Sequence, residues 1–198
     1  MEYTGADGRF APVYPNTSGY TIYSTTDYKY DLTGALTEVS KFGEQEKVTI
    51  AYDKLGRKTS MDDPDMGAWN YSYDFNGNLA SQTDARSQVI NFTYDVLNRL
   101  TVKDYPAGVD TLYFYDDPNF TFTKGRLTQV LYGVPDEKSY RYDALGRMTQ
   151  ILQTIGSTQY PTLQSYDALS RVKSVDYPNG IKANLHLRRG RTFAKSDY

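Results

Sequence analysis

The sequence predicts an all-β chain, an antiparallel strip of stacked hairpins, and three observations carry that expectation. Tyr supplies 20 of the 198 residues, a composition that suits strands with one packed face. The dipeptide Tyr-Asp recurs at nearly constant spacing. Ahead of most of these dipeptides, apolar and polar residues alternate with a period of two, the pattern of a sheet with two unlike faces.

The repeat orders everything else. Tyr30-Asp31, Tyr52-Asp53, Tyr73-Asp74, Tyr94-Asp95, Tyr115-Asp116, Tyr142-Asp143 and Tyr166-Asp167 are separated by steps of 22, 21, 21, 21, 27 and 24 residues. A second mark follows most of them: Gly34, Gly56-Arg57, Gly77, Asn98-Arg99, Gly146-Arg147 and, after Ser170, Arg171. In the fifth unit the mark is displaced to Gly125-Arg126, and Arg147 follows 21 residues later. The long step therefore reflects an insertion around Asp117 to Phe120, expected as a lengthened hairpin tip. Beyond the seventh unit the Tyr-Asp pair is missing, and Leu185-His186-Leu187 stands in its place.

Each unit reads as strand, turn, strand, turn. Pairs such as Ile50/Tyr52, Tyr71/Tyr73, Phe92/Tyr94 and Tyr140/Tyr142 fall on one face of the rising strand. Asp after the Tyr can accept from backbone amides two residues on, and Gly or Asn three beyond that Asp tolerates a left-handed backbone. Together they specify a hairpin turn. On the returning strand the apolar pairs Leu36/Val39, Leu127/Val130, Met148/Ile151 and Val172/Val175 are three apart, which breaks strict alternation and predicts a β-bulge. Second turns in register with one another are read at Asp62 to Gly67, Thr83-Asp84-Ala85, Asp104 to Gly108 and Asp176 to Gly180. The expected organisation is an irregular lead-in over 1–20, a repeat sheet over 21–182 and a degenerate repeat or frayed tail over 183–198.

Composition narrows the partners. Lys and Arg number 22 against 24 Asp and Glu, a formal charge of −2, so no global field draws in nucleic acid. Cys is absent, which excludes disulfides and thiolate metal sites. No apolar run approaches the roughly 20 residues that span a bilayer as a helix. Residues 1–20 lack a signal-peptide pattern, so export is expected to depend on features outside this chain.

Units such as Tyr94-Asp95-Val96-Leu97-Asn98-Arg99-Leu100-Thr101 and Tyr142-Asp143-Ala144-Leu145-Gly146-Arg147-Met148-Thr149 resemble the YD repeat, also called the RHS repeat. The stretch Asp63-Pro64-Asp65-Met66-Gly67-Ala68-Trp69-Asn70-Tyr71-Ser72-Tyr73-Asp74 is similar to one in bacterial members that carry an SpvB-like region. The resemblance covers roughly residues 20–182. It implies a sheet that winds spirally into a hollow shell, as in Rhs proteins and toxin complexes, where the shell encloses a C-terminal toxic effector. The expected partners are the remainder of a larger shell protein and that effector, and the expected location is secreted or on a bacterial cell surface. A second implied class, through the related teneurin shells, is a cell-surface adhesion module that contacts a glycan or protein through exposed aromatic rows.

No catalytic, cofactor or metal residue is expected, and the chain is read as not an enzyme. An Asp repeated at a fixed turn offset is explained by backbone bonding, whereas a catalytic carboxylate pair needs two unlike environments. Asp62, Asp63 and Asp65 do not have EF-hand spacing and read as a turn. His186 is the single imidazole and reads as a surface residue. The recurring Arg57, Arg99, Arg126, Arg147 and Arg171 read as a solvated stripe partly neutralised by the Asp row.

Overall fold

The computed structural model describes residues 26–41, 46–188 and 191–196, with side chains described through 185. The expected lead-in over 1–20 lies outside the described residues, and so does the side chain of His186. The described secondary structure is β, in sixteen strands.

The chain divides into two units, residues 1–91 and 92–198. The first holds β1 (Thr26–Tyr30), β2 (Leu36–Lys41), β3 (Glu46–Tyr52), β4 (Lys58–Asp63), β5 (Gly67–Tyr73) and β6 (Leu79–Thr83). The boundary falls inside β7 (Val89–Tyr94). In the second are β8 (Leu100–Asp104), β9 (Thr111–Tyr115), β10 (Leu127–Leu131), β11 (Glu137–Tyr142) and β12 (Met148–Ile155). After these come β13 (Thr158–Tyr166), β14 (Val172–Asp176), β15 (Lys182–Arg188) and β16 (Arg191–Ser196). Within each unit every strand pairs antiparallel with its sequence neighbours. The tail over 183–198 contributes the last pairing, β15 with β16.

The period-two pattern sorts the faces. Along β5, Trp69, Tyr71 and Tyr73 are half-buried while Ala68, Asn70 and Ser72 are exposed. Along β7, Ile90, Phe92 and Tyr94 are half-buried while Asn91 and Thr93 are exposed. No second layer completes the burial: among the described residues Val130 is the one apolar side chain that is fully buried. Order therefore comes from backbone pairing and from side chains reaching along the sheet.

The predicted bulge is present. Register shifts fall at Lys29/Tyr30, Ala51/Tyr52, Ser72/Tyr73, Arg141/Tyr142 and Ser165/Tyr166, each at the Tyr of a Tyr-Asp pair. In β9 and β10 Tyr115 faces Leu127 while Phe114 faces Gln129, so Thr128 is the extra residue. Such a bulge leaves a carbonyl outside the backbone ladder and deepens the local twist.

Candidate functional site: the clasp between hairpins

Except after Tyr115, the turn that follows the Tyr is a five-residue hairpin built on the Asp. The Asp143 amide donates to the Arg147 carbonyl at 3.0 Å, and the Gly146 amide donates to the Asp143 carbonyl at 2.8 Å. This is a type I turn followed by a left-handed residue, a common three-residue hairpin loop. Gly34, Gly56, Gly77, Asn98, Gly146 and Ser170 occupy that left-handed position with φ between 59° and 87°. Asp31, Asp53, Asp74, Asp95 and Asp167 close their hairpins with the same pair of backbone bonds.

The carboxylate finishes the turn. Oδ1 of Asp143 accepts the amides of Leu145 and Arg147, both at 3.0 Å. Its Oδ2 accepts Nε and Nη2 of Arg147, both at 2.7 Å. Asp53 with Arg57 and Asp167 with Arg171 repeat this arrangement, as does Asp95 with Arg99 through Nε. In the third hairpin Asn78 replaces the Arg and donates its side-chain amide to Asp74, and in the first Thr33 donates to Asp31. These bonds hold the carboxylates below their ordinary range. The first cause is the Arg side chain for Asp143 and Asp167, and the amide of the following Arg for Asp53 and Asp95.

The Arg does more than neutralise the Asp, which corrects the solvated-stripe reading. Arg57 lies over the ring of Tyr73 at 4.6 Å, Arg99 over Tyr115 at 4.3 Å, Arg126 over Tyr142 at 5.6 Å and Arg147 over Tyr166 at 4.6 Å. In each case the ring belongs to the next Tyr-Asp unit, and its π face attracts the guanidinium. Arg171, whose following unit lacks the Tyr-Asp pair, is at 42% the most exposed of the four arginines paired with the Asp of their own Tyr-Asp turn.

The same Tyr reaches back with its hydroxyl. Tyr52 donates to the Leu36 carbonyl, Tyr73 to Lys58, Tyr115 to Leu100, Tyr142 to Leu127 and Tyr166 to Met148, at 2.6 to 2.9 Å. Each acceptor is the first residue of the preceding return strand, at the bulge. Thr hydroxyls complete the repair: Thr37 donates to the Lys29 carbonyl, Thr101 to Thr93 and Thr128 to Phe114. Asp, Arg and Tyr thus form a clasp in which one hairpin shapes its own turn and grips the next. Sequence reasoning missed the Thr partner, because a strand Thr reads simply as good β propensity.

The fifth hairpin shows how the clasp absorbs an insertion. Asp116 still closes on Arg126 through its backbone amide at 3.1 Å, and the Gly125 amide donates to its carboxylate. The other carboxylate oxygen accepts Nη1 of Arg99 at 2.7 Å, so Arg99 bridges Asp95 and Asp116. Thr123, buried in the tip, donates to the carbonyls of Asp117 and Phe120. On the other edge, Asp84 to Gln88 forms the same Asp turn with Ser87 left-handed. Asp63 spends its Oδ1 on the amides of Asp65 and Met66.

Residues 73–111 match the RHS Repeat family. The fold is similar to that in the crystal structure of TcdB2-TccC3-Cdc42, with a TM-score of 0.63 and 13% identity over 82% of this chain and 10% of that one. It is also similar to the crystal structure of TcdB2-TccC3 without its hypervariable C-terminal region, with a TM-score of 0.61 and 15% identity over 86% of this chain and 10% of that one. This chain spans about a tenth of the length of the structures it matches. The units outside residues 73–111 carry the same Tyr-Asp turn as the matched ones, so the likeness to the YD-repeat, or RHS-repeat, family extends along the described repeats.

Proposed function

We propose that this chain is a stretch of wall in a larger YD-repeat shell that encloses a toxic effector, secreted or carried on a bacterial surface. On this reading it contributes structure and no catalytic group. The observation that carries it is the clasp: at five junctions, the repeated residues are spent on joining one hairpin to the next. Its partners are then the remaining repeats and the enclosed polypeptide.

Aromatic rows free to stack on sugars would favour adhesion. Here Tyr73, Tyr115 and Tyr166 lie under arginines, and Tyr71 lies under Lys58 at 4.3 Å. Those capped rings support the wall over the glycan platform. The test is limited proteolysis of the longest native polypeptide that contains this segment, intact and with whole repeat units removed. Protection of a C-terminal reporter is expected in the intact protein and lost in the shortened one. Equal protection in both sinks the proposal.

A further inference from the structure

We propose that Asn179 is a self-modifying site, at which the backbone nitrogen of Gly180 attacks the side-chain carbonyl and converts the residue to isoaspartate and aspartate. Asn179 and Gly180 are exposed in the turn between β14 and β15. There the Tyr177 amide donates to the Ile181 carbonyl at 2.8 Å, and the Gly180 amide to the Tyr177 carbonyl at 3.0 Å. Gly180 has no Cβ to stand in the path of attack. Ring closure joins its nitrogen to Cγ of Asn179; that nitrogen gives up its proton and the side-chain amide leaves as ammonia. Water then opens the succinimide at either carbonyl, giving aspartate or isoaspartate. No cofactor or second protein takes part.

The sequence holds a second Asn-Gly pair, Asn76-Gly77, exposed in a turn with the same backbone bonds. In both turns the Gly amide is restrained by the first carbonyl, at 3.1 and 3.0 Å, so that bond slows both sites without choosing between them. Two other features favour Asn179. Negative charge collects on Oδ1 during the attack, and Oδ1 of Asn179 already accepts the Ile181 amide at 3.2 Å, a donor in place for that charge. The Asn76 turn opens on Asp74, whose carboxylate accepts the amides of Asn76 and Asn78 and is held below its ordinary range, first by the Asn78 side chain. A carboxylate beside Asn76 opposes a second negative charge forming there. Tyr177 stands at the matching position before Asn179, and Asp176 is paired with Lys182 at 3.1 Å. Isoaspartate routes the backbone through the side chain and adds a methylene inside the turn. The pairs next to it, Asp176 with Lys182 and Val175 with Ala183, are the first to loosen.

The test follows both Asn-Gly sites in the natural chain, folded and unfolded in urea, during incubation in mildly alkaline buffer. Peptide mapping reads conversion as the mass change from amide to acid, and electron-transfer fragmentation separates isoaspartate from aspartate. In urea the two sites report their sequence contexts alone. In the folded chain the ratio of Asn179 to Asn76 conversion should stand roughly two- to five-fold above the urea ratio, the rate equivalent of an exposed charge contact. Tyr177→Asp builds the Asp turn of the other hairpins at this site, which gives the Ile181 amide a competing carboxylate and adds a negative charge. Asn179 should then convert more slowly in the folded variant. A folded ratio no higher than the urea ratio overturns the proposal. So does an Asn179 left unconverted in the folded chain once the urea sample has reacted, or one that is not slowed by Tyr177→Asp. Should that variant misfold, the ratio in the natural chain alone decides.

Discussion

The Tyr142 hydroxyl donates to the Leu127 carbonyl at 2.7 Å, so a side chain of one hairpin fills a gap in the backbone pairing of the hairpin before it. Burial pushes the Tyr142 phenol up, which keeps it protonated and able to donate. Tyr142→Phe leaves the ring in place under Arg126 and strands the carbonyl. The expected loss is about 1 kcal/mol, read as a lower urea midpoint with an unchanged m-value. Tyr160→Phe, at an exposed ring, should leave the midpoint nearly where it was.

Thr128 is almost fully buried and donates to the Phe114 carbonyl at 3.0 Å. Thr128→Val keeps the shape and removes the donor at the bulge. A loss of about 1–2 kcal/mol is expected in chemical denaturation. Thr128→Ser keeps the donor and should recover part of it.

Gly146 has φ +77° and Gly56 has φ +76°, where a β-branched side chain is strained by roughly 1–3 kcal/mol. A Cβ at Gly56 meets nothing within 4 Å, whereas one at Gly146 runs into the Arg126 guanidinium. Gly56→Val thus measures the backbone cost alone, and Gly146→Val should lower the melting temperature further. Ala144→Val, in the same turn and without positive φ, should do less than either.

Acid should weaken the strip. Asp53, Asp95, Asp143 and Asp167 all lie below their ordinary values when folded. A depressed carboxylate contributes stability that is present above its unfolded value, near pH 4, and lost as pH falls through the folded one. Melting temperatures should therefore be flat near neutrality and drop below about pH 4. Asp143→Asn can still accept the two turn amides but has no charge for Arg147, so its melting temperature should fall near neutrality and lose less on acidification.

Much of this was legible because it is local. Asp143, Gly146 and Arg147 sit within five residues, and the turn they form depends on little else. The three-residue spacing of Leu127 and Val130 likewise marked the bulge. The partner of Tyr142 was not legible, since an acceptor 15 residues back depends on strand register. Arg147 over Tyr166 was hidden for the same reason, and the neighbouring row of Asp suggested a solvated stripe. Asp84 to Gln88 escaped notice as the same turn because Ser87 takes the place where Gly is usual.

Strand pairing between sequence neighbours, repeated through both units, has a consequence for how such a chain comes into being. The entropic cost of adding a hairpin is set by the short loop that closes it and does not grow with the number already formed. A ribosome or a translocation channel can therefore release the strip a hairpin at a time, with each new one zipping onto the last before its successor emerges.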